Sequence, residues 1–449
     1  MAGQPAGLLC YGRQVIYTQF LRNLNARGMF RIRPSLDRIT RVLDALGNPQ
    51  EQWPSLHMAG TNGKGSVAAA LESVLRASGY RTGLYTSPHL VDLRERVRVD
   101  GEPVVDDFTA IAGDVLKAEK KARAPLTYFE FLTAIAFQAF ARKKVDIGII
   151  ECGMGGLWDA TNMLSHPLAS LLTTVGLDHM EWLGKDERRI ARQKAGIIKT
   201  HGYVISGVRG PGQKSVIRAA REKDATLIQL DQDFFATPLT ASWRTGKQTL
   251  RFQFRGEPSE IVPFGLLGTH QIDNAALVMA TLRHLMQAGW SIPAGRRDQG
   301  LTHLDWPGRL QIIRGPDQAP LLLDGAHNPP AMKMVLDSIA SSAFANVRKI
   351  FIFSAFKDKD FNAMACMIAP LAAEICLCPL RGPRAAGVSR LRQAFSRTGL
   401  PVRAFTTPAE ALARALQDTP RDGLIVVTGS LALVGEILKS IHQRELIHV

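Results

Sequence analysis

Residues 60–66 read Gly-Thr-Asn-Gly-Lys-Gly-Ser. Gly60, Gly63 and Gly65 let backbone N–H groups approach phosphate oxygens with no Cβ in the way, and Lys64 can reach the outer phosphates of a nucleotide. A short apolar run (Leu56, Met58, Ala59) comes before this loop. After it, Val67, Leu71, Val74 and Leu75 fall on one helical face. Strand, loop and helix in that order would set a helix N-terminus under the anion. The loop is shorter than the GxxxxGK[ST] pattern, and Gly65 stands where a Ser or Thr would follow the lysine. A plain glycine turn would look the same locally, and the loop alone names no reaction.

Chemistry on a nucleotide phosphate calls for Mg2+, held by a few oxygen ligands with water and phosphate completing the shell. Three candidates stand just past apolar runs. Thr82–Tyr85 leads to Ser87, residues 145–150 deliver Glu151, and residues 168–175 lead to Asp178 and His179. Ligands gather beyond the carboxyl ends of strands in open parallel sheets. Each residue alone reads equally well as a turn serine, a surface carboxylate or a capping histidine. Together, near a phosphate loop, they favour a metal–nucleotide site.

The elements that must hold these residues form an α/β pattern. Runs at 145–150, 168–175, 202–206, 320–323, 349–353 and 424–427 read as buried strands, several followed by periodic helical stretches. Residues 231–263 alternate like an antiparallel hairpin. Residues 291–308 are rich in Gly, Pro and charge and read as a connection. A domain boundary is therefore expected near 300, with a large domain over 1–299 and a smaller one over 300–449.

The composition fits a folded protein. Hydrophobic residues make up 46% of the 449, so the chain is not disordered. Five cysteines form no CxxC pair and read as a reduced, cytoplasmic protein. No signal peptide or membrane span is expected. Lys plus Arg number 55 against 40 Asp plus Glu, a formal charge of +15. Nucleic acid, an anionic surface or small polyanionic substrates would each suit that charge. The cations are dispersed and no nucleic-acid-binding motif is visible, which favours small molecules.

The ordered set AGTNGKGS (59–66), SPHL…RERV (87–97), TYFEFLTA (127–134), ECGMGGLWDATN (151–162), GLDHMEWLG (176–184), KAGIIK (194–199), GTHQIDNA (268–275), WPGRLQ (306–311), LLDGAHNP (322–329), KDKDF (357–361) and VTGSLALVGE (427–436) resembles the folylpolyglutamate synthase/dihydrofolate synthase family, within the Mur-type, ADP-forming amino-acid ligases. The resemblance runs from about residue 30 to 440. It implies a P-loop-containing, Mur-ligase-type ATP-binding domain followed by a smaller Rossmann-like α/β domain. It also implies the reaction: ATP phosphorylates a pteroate or folate carboxylate, glutamate's amine attacks the acyl phosphate, and ADP and phosphate leave. Such catalysis is positioning and charge neutralisation.

The roles follow by motif. Gly63, Lys64, Gly65 and Ser66 would hold the ATP phosphates, and Ser87, Glu151 and His179 would bind Mg2+. Lys194 matches a lysine that the family carries as a carbamate, a carboxylate made from CO2 that can serve a second Mg2+ ion. Asn274 would contact the adenine side of ATP, and Arg309 a phosphate. Asp324 would bind the nucleotide, and His327 would face glutamate or the acyl phosphate. Thr127, Tyr128, Phe129, Glu130, Trp158, Asp159 and Ala160 would form the pteroate site. The expected partners are ATP, L-glutamate and dihydropteroate or folates, with no nucleic acid or membrane, and the expected state is a monomer. Two stretches depart from the pattern, mildly at Ser354, which stands where a glycine is common, and more at 157 and 158. Where the family usually reads GGRLDATN, this chain has Leu157 and Trp158. That leaves two alternatives open, a Mur-type ligase for another carboxylate and a paralogue with an altered pteroate pocket.

Overall fold

The computed structural model describes residues 17–28, 33–315 and 317–444. Cys10 and most of the N-terminal segment read for a signal peptide lie outside them. The chain folds into two compact units. One holds residues up to Gly60, Ser78–Ser87 and Arg94–Leu227; the other holds Thr61–Ala77, Pro88–Leu93 and Ile228 onward.

The first unit is organised by a sheet of β1 (Ser55–Ala59), β2 (Thr82–Tyr85), β3 (Val97–Val99), β4 (Glu102–Pro103), β5 (Ile147–Glu151), β6 (Ala169–Leu172), β7 (Tyr203–Ser206) and β8 (Thr226–Gln229). Their order is β4-β3-β2-β5-β1-β6-β7-β8. Strands β2, β5, β1, β6 and β7 run parallel, and β3 and β4 form an antiparallel edge. Every residue of β1, β2, β5 and β6 is buried, as strands covered on both faces must be. Helix α1 (Lys64–Ala77) opens from the loop after β1. Helix α2 (Tyr128–Lys143) precedes β5, and α3 (Met180–Leu183) and α4 (Glu187–Lys194) follow β6 in the chain.

The second unit contains an antiparallel meander of β9 (Phe234–Ser242), β10 (Lys247–Phe254) and β11 (Glu260–Phe264), where the alternating pattern over 231–263 predicts a hairpin. Helices α5 (Thr269–Gln287) and α6 (Ala294–Thr302) follow, and both pack against α1. Helix α6 corrects the reading of 291–308 as a plain connection. Its Gly300 marks close packing: a Cβ there would lie 2.6 Å from Val74 Cα, and the Ser73 hydroxyl donates to the Gly300 carbonyl at 2.8 Å.

The remaining strands, β12 (Gln311–Ile313), β13 (Leu321–Leu323), β14 (Lys349–Phe353), β15 (Glu374–Leu377), β16 (Val402–Ala404) and β17 (Leu424–Thr428), form a second sheet in the order β12-β13-β17-β14-β15-β16. All but the β12 edge run parallel. Its side chains alternate between two cores. Leu322, Phe351, Phe353 and Val426 enter one, and Leu321, Ile350, Ile352 and Val427 the other. Among the described residues, no helix is long and apolar enough to cross a membrane.

Candidate active site

In the first unit several of the candidate residues gather at one edge of the sheet. Strand β1 is a topological switch point: the next parallel strands in the chain, β2 and β5, lie to one side of it and β6 to the other. The register pairs Met58 with Glu151, Tyr85 with Ile150 and Ala59 with Leu172, so Gly60, Ser87 and Glu151 all emerge at the carboxyl edge. The Ser87 N–H donates to Glu151 Oε2 at 3.1 Å. Glu151 is buried, and so is Lys194 at the end of α4, whose Nζ donates to the Gly60 carbonyl at 2.8 Å. An exposed lysine on a basic helix would be the ordinary reading of RRIARQK; the structure turns this one inward. His179 stands on an exposed turn past β6 with φ 50°, and its N–H donates to Asp178 Oδ1 at 2.9 Å.

These donors fit a small divalent cation. A buried carboxylate with a serine beside it offers hard oxygen, and a cation shared with nucleotide phosphates needs only one or two carboxylates. Among the described residues, no three His, Cys, Asp or Glu side chains form a dedicated metal cluster.

The acceptor segment expected from the sequence is also here. Thr127 caps α2 in a reciprocal capping box: its N–H donates to Glu130 Oε2 at 2.7 Å, and its hydroxyl accepts from the Glu130 N–H. The other Glu130 oxygen takes Arg38 at 2.8 Å. Phe129 packs its ring on Gly153 and 5.9 Å from the Tyr85 ring. Tyr128 is buried, which raises its phenol pKa, and the Arg96 guanidinium lies 5.8 Å above its ring. Asp159 is buried beside Ala160 and accepts the Met154 N–H at 2.8 Å and the Thr161 N–H at 3.0 Å. Burial raises its pKa, and those hydrogen bonds oppose the shift. Leu157 and Trp158 point outward, 39% and 53% exposed.

The second unit holds the rest of the phosphate loop and its braces. Gly63 has φ 90°, and a Cβ there would lie 2.4 Å from Asn274 Oδ1. Asn274 Nδ2 donates to Gln271 Oε1 at 2.8 Å, and Gln271 Nε2 donates to Ser66 Oγ at 3.3 Å. Trp306 lies against Gly65, where a Cβ would be 3.1 Å from the ring. Lys64 Nζ donates to the Thr61 carbonyl at 3.4 Å.

Asp324 closes the WPGR turn by accepting the Leu310 N–H at 2.9 Å and the Ala326 N–H at 2.8 Å. Burial raises its pKa, and the nearby Arg309 guanidinium pulls the other way. His327 Nδ1 lies 2.9 Å from the Gly325 carbonyl, so that nitrogen carries the ring proton. His270 is held down to about 4, first by burial and then by Arg309.

Gln271, Trp306, His270 and Arg96 received no role from the sequence. The signal for Gln271 was available: it precedes Asn274 by three positions and shares its helical face.

The Mur ligase middle domain model matches residues 58–282, and the Mur ligase glutamate ligase domain model matches 308–431. The Bacillus subtilis dihydrofolate synthase/folylpolyglutamate synthase is 32% identical over 426 residues, covering 93% of this chain and 97% of its own. The chain belongs to the folylpolyglutamate synthase/dihydrofolate synthase family. Solved members of that family share its fold. The Escherichia coli FolC structure in complex with DHPP and ADP superimposes with a TM-score of 0.85 at 29% identity, covering 95% of this chain and 98% of that one. The Yersinia pestis bifunctional folylpolyglutamate synthase/dihydrofolate synthase, complexed with AMPPNP and a Mn ion, gives 0.83 at 29% identity with the same coverage.

Proposed function

We propose that this chain is an ATP-dependent, ADP-forming ligase. It joins the amine of L-glutamate to a carboxylate of dihydropteroate or of a folyl-(poly)glutamate. The observation that carries the reading is the edge of the first sheet, where the phosphate loop begins at Gly60, Lys194 binds that residue, and Ser87 binds Glu151.

In this reading Gly63, Gly65 and Ser66 give backbone N–H groups to the ATP phosphates, and Lys64 balances the charge that moves to the leaving phosphate. Ser87, Glu151 and His179 hold Mg2+, which when bound neutralises phosphate charge. Lys194 carries a carbamate and serves a second ion. Asn274 keeps its place against Gly63 and contacts the nucleotide. Arg309 offers a planar fork to phosphate, and Asp324 holds the turn that aims it and binds the nucleotide. With its proton on Nδ1, His327 presents Nε2 as the basic nitrogen, able to take a proton from the glutamate ammonium. Thr127, Tyr128, Phe129, Glu130, Trp158, Asp159 and Ala160 shape the acceptor site. The division into 1–299 and 300–449, the monomeric state and the cytoplasmic location belong to the same reading.

The test is ADP release by the purified protein with Mg2+, ATP and glutamate, trying dihydropteroate and tetrahydrofolate separately and weighing the products. Product with both acceptors is the expected result; product with neither would end the folate assignment. The exposed Leu157 and Trp158 favour a second reading, a folate-type ligase with an altered acceptor preference. Product with one acceptor alone would select it.

A further inference from the structure

A buried polar chain runs beneath the loop that follows Glu151. His57, in the middle of β1, is fully buried, and its Nε2 lies 2.8 Å from Thr161 Oγ1. The Thr161 hydroxyl lies 2.6 Å from Asp159 Oδ1. Cys152 Sγ sits beside both, 3.1 Å from His57 Nε2 and 3.3 Å from Thr161 Oγ1. The directions of the bonds follow from the count of protons. Thr161 has one hydroxyl proton, and the short contact to a carboxylate takes it. Its oxygen then accepts from His57, which places the imidazole proton on Nε2. His57 Nδ1 is buried with no partner, a position a bare lone pair tolerates better than an orphaned N–H. Burial, with Lys199 adding to it, holds His57 down to about 3, so the ring is neutral at working pH.

Both ends of this chain matter. His57 stands three residues before Gly60 on the strand that feeds the phosphate loop. Asp159 and Ala160 belong to the acceptor segment proposed above, in the loop that starts at Cys152, directly after Glu151. The chain therefore ties that loop to β1 through buried side chains.

We propose that His57 and Thr161 are positioning residues for the acceptor subsite: a neutral His57 orients the Thr161 hydroxyl so that it holds the Asp159 carboxylate in its binding pose. The inference rests on the reading that Asp159 belongs to the acceptor site.

The test is steady-state kinetics with ATP, glutamate and the folate acceptor varied in turn. Thr161→Val keeps the shape and removes the hydroxyl. It should raise the acceptor KM about tenfold, the scale of one hydrogen bond to a charged group, with the ATP and glutamate KM values and kcat within about twofold. Thr161→Ser should restore the wild-type value. His57→Leu should raise the acceptor KM similarly, and the double variant should be no worse than either single, as for two links of one chain. A fall in kcat alone, an equal rise in all three KM values, or additive effects would overturn the proposal, since a merely structural role gives those. Asp159→Asn separates the two claims. If it shifts the acceptor KM and Thr161→Val does not, the positioning role falls and the acceptor site stands; if neither shifts it, both fall.

Discussion

Two glycines of the phosphate loop should respond very differently to the same added methyl group. At Gly63, φ is 90°, where an L side chain strains the backbone by about 1–2 kcal/mol. The new Cβ would also lie 2.4 Å from Asn274 Oδ1, well inside contact distance. Asn274 must swing away, giving up its bond to Gln271, and Gln271 then loses its hold on Ser66. Two neutral hydrogen bonds at about 1 kcal/mol each bring the cost to about 3–4 kcal/mol. At Gly65 the backbone is helical, and alanine gains about 1 kcal/mol there over glycine. Its Cβ would meet Trp306 at 3.1 Å, a conflict that a shift of a few tenths of an ångström relieves. That overpacking costs about 1–3 kcal/mol, so the net change is about 0–2 kcal/mol. The assay is thermal unfolding of the nucleotide-free protein, so that lost ligand contacts do not enter. Gly63→Ala should melt below Gly65→Ala by about 4–8 °C, which is about 2 kcal/mol for a unit of this size. Equal melting temperatures, or a lower one for Gly65→Ala, would refute the claim that Asn274 and the loop are packed as a single piece.

Glu151→Ala should raise the Mg2+ concentration needed for half-maximal ADP release by tenfold or more, because it removes the buried carboxylate of the proposed metal site; an unchanged Mg2+ titration would remove Glu151 from that role. Stability should fall in mild acid. His57 and His270 are held at about 3 and about 4, below the ordinary 6.5, so the unfolded chain binds more protons than the folded one below 6.5. Their contribution is whole above pH 6.5 and is lost as the pH falls toward 4. By pH 5 the loss is about 2 kcal/mol for each histidine. Asp159 and Asp324, raised by burial, work in the opposite sense at the acid end. Denaturant titrations of wild type and His57→Gln from pH 7.5 to 5 should show a shallower fall for the variant; parallel curves would deny His57 its share. Leu157→Arg with Trp158→Leu, which recreates the family pattern, should change the ratio of acceptor KM values for dihydropteroate and long-tail folates by about tenfold without moving the ATP KM. An unmoved ratio would show that these two exposed side chains have no part in acceptor choice.

Much of the fold was legible because burial writes itself into composition. The runs at 349–353 and 424–427 became β14 and β17 almost residue for residue, since strands covered on both faces must be apolar throughout. The segment 291–308 misled for the opposite reason. Gly and Pro signal turns when read locally, but Gly300 is small because Ser73 and Val74 come within contact distance, a demand set by residues more than two hundred positions away. The strand-end rule set Ser87 and Glu151 at equivalent strand ends, and a parallel register carries such ends to one edge, where the Ser87 N–H meets the Glu151 carboxylate. It could not show that Lys194 turns inward to Gly60, since helix periodicity fixes a face but not what that face meets.

The residues hardest to read are those whose pattern has two sufficient explanations. Thr127 and Glu130 fit a substrate segment by resemblance, and they also form the Thr-x-x-Glu capping box that starts α2. With Arg38 reaching both oxygens and the Thr127 N–H on one of them, the Glu130 carboxylate is already committed to the fold. Asp159 shows the same doubling, since it closes its own loop through Met154 and Thr161. Retention of such residues in a motif therefore says little about which job keeps them. The substitutions at 157 and 158 are more informative for the opposite reason. Neither side chain is buried, and Leu157 is anchored through its backbone: its N–H donates to the Gln193 carbonyl at 2.9 Å. Where the fold leaves a side chain unconstrained, a change of type is free to follow the ligand. On the proposed acceptor site, Leu157 and Trp158 are thus the positions free to change with the acceptor while the capping box, the Asp159 closure and the Ser87–Glu151 pairing stay as they are.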